Sequence, residues 1–89
     1  MIKKNITITN KLGLHARASA KLTSTASGFK SGVFLSRNGR RVNAKSIMGV
    51  MMLAAGLGAT VEIETEGEDE QAAMDTIEKL FADKFGEGS

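Results

Sequence analysis

Val33-Phe34-Leu35-Ser36-Arg37-Asn38-Gly39-Arg40-Arg41-Val42-Asn43-Ala44 carries the strongest local instruction in this chain. Two short segments, Val33–Arg37 and Arg40–Ala44, flank an Asn-Gly pair. A two-residue Asn-Gly link is the clearest hairpin signal, because both central positions of the turn need a positive φ. An antiparallel pair of strands is expected here, and the remaining elements must be arranged around it.

Moving toward the C-terminus, Ser46 reads as the N-cap of a short helix from Ile47 to about Leu53. Gly49 lowers its propensity, so packing must hold it, and Gly56-Leu57-Gly58 ends it. Thr60–Glu66 then alternates, with Val61, Ile63 and Thr65 on one face and Glu62, Glu64 and Glu66 on the other. That is a strand with one buried and one wet face. A last helix is expected from about Asp69 to Phe85, burying Ala73, Ile77, Leu80, Phe81 and Phe85. Acids at its start, and Lys79 and Lys84 toward its end, suit the helix dipole. The Gly86-Glu87-Gly88-Ser89 tail is expected to fray.

Moving toward the N-terminus, residues 2–9 read as a strand with Ile2, Ile6 and Ile8 on one face and Lys4 as the exception. Asn10–Leu14 connect it, through a bend at Gly13, to a helix from about Ala16 to Ser27. Leu22, Thr25, Ala26 and Phe29 give that helix its apolar face, and Gly28 stops it. The order β-α-β-β-α-β-α implies an α+β open-faced β-sandwich: a four-stranded antiparallel sheet covered on one face by three helices. Residues 1–89 form a single domain, with no repeat or linker.

Composition narrows the function classes. The chain has no cysteine, which removes disulfides and thiolate metal sites. No apolar run is long enough to span a membrane and no signal segment opens the sequence, so a soluble cytoplasmic protein is expected. The net charge of +2 hides an asymmetry, because every acidic residue lies at Glu62 or later. Residues 1–60 therefore present a positive potential suited to phosphate groups and acidic partner surfaces.

His15, the only histidine, stands where the first loop meets the first helix. A lone histidine in a small domain is ordinarily a surface residue. This one sits beside the unsatisfied N–H groups of a helix N-terminus, with the Arg17 guanidinium two residues on. Those positive groups favour a neutral, nucleophilic ring before reaction, and they can hold the negative charge that a phosphoryl group brings. No local carboxylate is available in sequence to orient His15 as a general base, which argues against hydrolysis. One histidine without cysteine cannot complete a zinc site.

Gly13-Leu14-His15-Ala16-Arg17, followed by Ser46-Ile47-Met48-Gly49, resembles the HPr family, the histidine phosphocarriers of the bacterial phosphotransferase system. The resemblance extends over the whole chain in length, element order and motif spacing. It implies that His15 takes a phosphoryl group on Nδ1, as a pros-phosphohistidine, from phosphorylated enzyme I, which is itself charged by phosphoenolpyruvate. The carrier then passes the group to enzyme IIA components for sugar uptake and regulation. Arg17 is the family's phosphate-contacting residue. The residues alone leave both ring nitrogens open. Neither a cofactor nor a resident metal is implied, and the chain is a covalent intermediate between enzymes rather than a stand-alone enzyme. A monomer is expected, since one site must be shown to successive partners.

One position departs from the family pattern: Ala18 stands where proline is usual. Alanine loosens the preset φ of the first helical turn and restores one N–H donor. It leaves room for a nitrogen-regulatory paralogue with the same chemistry and other partners.

Ser46 is explained by capping alone. The resemblance adds that many members are phosphorylated at this serine by an HPr kinase/phosphorylase, and a phosphate is well tolerated at an N-cap. Ile47, Met48, Met51 and Met52 are the candidate partner-docking patch, since so short a helix cannot bury every face and thioethers suit several partners. The rival from another class is a small basic nucleic-acid-binding module using Arg37, Arg40 and Arg41. With four phenylalanines as its only aromatics, the chain lacks a base-stacking platform, so no nucleic-acid partner is expected.

Overall fold

The computed structural model describes residues 1–87. Four strands, β1 (Ile2–Thr7), β2 (Gly32–Arg37), β3 (Arg40–Asn43) and β4 (Thr60–Glu66), alternate with helices α1 (Ala16–Ser27), α2 (Ile47–Met51) and α3 (Glu70–Ala82). A 3-10 turn follows at Lys84–Gly86. The sheet is antiparallel throughout, in the order β1-β4-β2-β3. The expected open-faced sandwich is what forms, and α1 and β4 occupy the expected residues. Asn38 and Gly39 both take positive φ, 50° and 81°, as the hairpin turn requires. No helix among the described residues is long and apolar enough to cross a membrane.

Register explains which strand residues are buried. Lys4, Ile63, Leu35 and Val42 lie in one row across the sheet, on the face that the helices cover. Ile63 and Leu35 are fully buried in that row. Lys4 belongs to the same face but sits on the edge strand, where its ammonium reaches Glu78 of α3 at 3.0 Å. The lysine that broke the alternation is thus a link from sheet edge to helix. β1 stops two residues early, yet Ile8 stays buried and its N–H donates to the Ala59 carbonyl at 2.9 Å.

The α1 face is turned slightly from the expected one. Ala18, Ser19, Leu22 and Ala26 are buried, while Thr25 and Phe29 are only half-buried. Ala18 packs fully inside the core, so its methyl group is a core contact as well as a helix former. On the outer face of the sheet, Glu64 is not wet. The Arg41 guanidinium donates to it at 2.8 Å and lies 3.7 Å over the Phe34 ring, and this hydrogen bond holds the Glu64 carboxyl below the usual carboxylate range.

The last helix is shorter than its apolar spacing suggested. α3 ends at Ala82, and the chain turns through positive φ at Lys84 (53°), Phe85 (54°) and Gly86 (76°). Phe85 is buried as expected, but through this turn, edge-on to Phe81 with ring centroids 4.9 Å apart. The tail does not fray at Gly86 and Glu87, which fold back against the body of the protein. Gly88 and Ser89 lie outside the described residues.

Candidate functional site

His15 is the N-cap of α1, with extended φ/ψ of −74° and 178°, and its carbonyl accepts the first intrahelical bond from Ser19 N–H at 2.8 Å. Among the described residues no side chain caps this helix. The N–H groups of Ala16, Arg17 and Ala18 therefore have no acceptor within the helix, the condition under which a helix start holds an anion. Ala18 supplies a donor where proline would have none.

Three contacts fix the loop that delivers His15. Gly13 has φ +64° and lies against the segment after α2: a Cβ there would meet the Ala55 oxygen at 2.5 Å and Gly56 Cα at 2.6 Å. Glycine is required both for its conformation and for this approach. Leu14 N–H donates to the Ala55 carbonyl at 2.9 Å, and the buried Ser19 hydroxyl donates to the Leu14 carbonyl at 3.1 Å. His15 is thus seated on backbone, and its imidazole remains 27% exposed.

The sequence placed no carboxylate near this ring, but the fold does. Glu87, 72 residues away along the chain, brings Oε2 to 2.5 Å from His15 Nε2. Its other oxygen accepts from Asn10 Nδ2 at 3.2 Å, and the same amide donates to the Gly13 carbonyl at 2.8 Å. The hydrogen bond from His15 holds the Glu87 carboxyl below the usual carboxylate range, with the Asn10 amide and the Arg17 charge adding to the effect. Glu87 is therefore a carboxylate at neutral pH. The neighbourhood of His15 is mixed in sign, not purely positive. Lys11, Leu12, His15, Arg17, Gly86 and Glu87 line an open depression of about 420 Å³. His15 and Arg17 are brought together there, with the exposed Arg17 guanidinium on its rim.

Ser46 and the α2 residues form a second region. The Ser46 hydroxyl accepts from Gly49 N–H at 3.2 Å, as expected of the cap, and the residue is exposed. Ile47, Met48, Met51 and Met52 are all exposed, Met48 to 70%, while Val50 points into the core. Leu12 and Leu57, chain neighbours of the Gly13–Gly56 contact, add exposed apolar surface that sequence reasoning missed. Each is a single leucine in a polar or glycine-rich loop, so no periodicity could mark it.

The hairpin arginines have intramolecular work. Arg37 Nη1 donates to the Leu53 carbonyl at 3.0 Å and Arg40 Nη1 to the Met52 carbonyl at 3.1 Å. α2, too short to be stable alone, is held by Ser46 at its start and by two guanidinium groups just past its end. With Arg41 on Glu64, all three arginines weighed for nucleic-acid contact are engaged within the fold.

Comparison with known proteins agrees with this geometry. Residues 2–83 match the family described as the PTS HPr component phosphorylation site. The chain is 66% identical to the phosphocarrier protein HPr of Cupriavidus necator, and 58% identical to that of Neisseria meningitidis, covering 99% of each partner in both alignments. The crystal structure of HPr from Thermoanaerobacter tengcongensis superposes with a TM-score of 0.95 at 44% identity, covering 98% of both chains. A crystal structure of Crh from Bacillus subtilis, described as a swapped dimer, gives 0.76 at 39% identity over 94% of this chain and 97% of that one. A half-buried imidazole at a helix start, beside Arg17 and on a fold shared end to end with these proteins, leads to one assignment: the chain belongs to the HPr family, the phosphocarriers of the phosphotransferase system.

Proposed function

We propose that His15 is the phosphoryl acceptor, that Nδ1 is the atom that bonds phosphorus, and that phosphorylated enzyme I is the donor and enzyme IIA components the recipients. The observation that carries this reading is the contact between His15 Nε2 and Glu87. A carboxylate only accepts hydrogen bonds, so the proton of the neutral ring sits on Nε2 and the lone pair is left on Nδ1. Attack by Nδ1 forms the N–P bond while the donor's bond to phosphorus breaks, and that electron pair returns to the donor. Nδ1 has no proton to lose, so no general base is needed. The α1 N–H groups and Arg17 then supply charge stabilisation for the bound phosphoryl oxygens.

The test is incubation with phosphoenolpyruvate, Mg²⁺ and enzyme I, the metal serving enzyme I. An acid-labile, base-stable phosphate that His15→Ala abolishes is the expected result. Label that persists in that variant, or that survives acid, overturns the assignment.

Ser46 is proposed as a regulatory phosphorylation site for an HPr kinase/phosphorylase. Its exposed hydroxyl at an N-cap, at the edge of the α2 patch, supports this. A dianion there leaves the helix intact and opposes docking of acidic partner faces on Ile47, Met48, Met51 and Met52. Phosphorylation of His15 in Ser46→Asp at the wild-type rate is the result that removes this role. A cytoplasmic monomer is the proposed working form, since one site must be shown to successive partners.

A further inference from the structure

The C-terminal turn is built in a way that the helix before it does not require. Lys84 and Phe85 are non-glycine residues in left-handed conformation, which costs each about 1 kcal/mol relative to continuing the helix. The turn is nevertheless fastened at three points. The Phe85 side chain is buried against Phe81, the Phe85 carbonyl accepts from Lys21 Nζ at 2.6 Å, and Glu87 is gripped by Asn10 and His15. What the turn achieves is the delivery of one carboxylate to one ring nitrogen.

From this geometry we infer that Glu87 is a positioning residue for phosphoryl transfer, holding the His15 ring as its Nε2–H form and so leaving the lone pair on Nδ1. This rests on the reading of His15 as the acceptor and adds to it a named source of the choice between ring nitrogens. When Nδ1 bonds phosphorus, the ring becomes an N-phosphoimidazolium with its remaining proton on Nε2. The Glu87 carboxylate offsets that positive charge at the atom where the proton sits. Asn10 makes the arrangement rigid. Its single amide group bridges the Glu87 carboxylate and the Gly13 carbonyl, so the turn and the His15 loop are held as one unit.

The experiment uses the full chain and two variants, Glu87→Ala and Glu87→Gln. Glutamine keeps an acceptor oxygen and loses the charge; alanine loses both. The initial rate of phosphate uptake from phosphorylated enzyme I is expected to fall about tenfold in Glu87→Ala, the usual scale for losing an orienting partner, and less in Glu87→Gln. Because His15 is the only histidine, its ¹H–¹⁵N long-range spectrum can be read without assignment. Wild type and Glu87→Gln are expected to show a protonated Nε2 and bare Nδ1, and Glu87→Ala an increased share of the Nδ1–H form. A thermal melt within a few degrees of wild type separates this from unfolding. Wild-type uptake rates in Glu87→Ala, or a tautomer balance that does not respond to it, overturn the role of Glu87. Failure of the wild-type chain to take label on His15 overturns the acceptor reading instead, so the two failures are distinguishable.

Discussion

Two helix starts at opposite ends of the molecule handle the same physical problem differently. At the α3 start, Asp69 turns its carboxylate away from its own helix and accepts from Lys30 N–H at 3.0 Å, Ser31 N–H at 2.9 Å and the Ser31 hydroxyl. Those bonds, the hydroxyl's first, hold its pKa down at about 2. At the α1 start, the residue in the cap position is His15, whose side chain caps nothing. His15 and Arg17 line an open depression, and the nearby carboxylate comes from the far end of the chain. One junction turns its cap side chain onto a neighbouring loop and the other leaves its cap side chain at an open depression. Among the described residues neither helix has a side-chain cap, so what separates the two starts is the residue at the cap position: Asp69 is engaged by a neighbouring loop, whereas the His15 ring lies in an open depression.

The sharpest way to break this contrast is Gly13→Ala. A methyl group there meets backbone at 2.5 Å and must adopt φ +64°, so a loss of about 3 kcal/mol is expected by urea denaturation. Phosphate uptake should fall with it, because the loop that seats His15 is what moves. A variant that keeps wild-type stability would show that the loop yields, and that the open end is less rigidly built than the closed one.

Asp69→Asn tests the closed end. The folded-state pKa is depressed from 3.8 to about 2, so the charged form's contribution is complete above about pH 4 and is lost as pH falls toward 2. Wild type should therefore lose stability through that window, and Asp69→Asn should start lower and show a flatter profile there. Phosphate uptake at neutral pH should be unchanged. A parallel pair of pH–stability curves would remove Asp69 from the account.

Ser46→Ala deletes a cap that is satisfied at 3.2 Å, and a loss of about 1 kcal/mol is expected in chemical denaturation. Met48→Ser should move stability by no more than about 0.5 kcal/mol, since the side chain is 70% exposed. Its effect should fall on the KM for transfer between partners. A large loss of stability in Met48→Ser would mean that the patch is holding the fold and not waiting for a partner.

Much of the fold was legible in local sequence. Asn38-Gly39 signalled the hairpin, the alternation at Thr60–Glu66 signalled its strand, and Gly28 marked the end of α1. Each depends on neighbours within a few residues. What escaped reading depends on distant ones. Glu87 looks like part of a polar tail until Phe85 and Lys21 fasten the turn that carries it to His15. Lys4 looks like a break in pattern until Glu78 is opposite it. The early end of α3 has no warning before Gly86, because Lys84 and Phe85 are residues that ordinarily prefer helix to left-handed turn. At the candidate site, His15 and Arg17 were evident from the motif, whereas the orientation of the ring was not, since a long-range contact sets it.

The seat of Leu14 and Gly13 upon Ala55 and Gly56 is made of main-chain atoms alone. The exposed side chains of Met48, Met52 and Leu57 can therefore be exchanged without shifting the imidazole. A lineage of such proteins is free to rewrite its outer surface while the imidazole keeps its address.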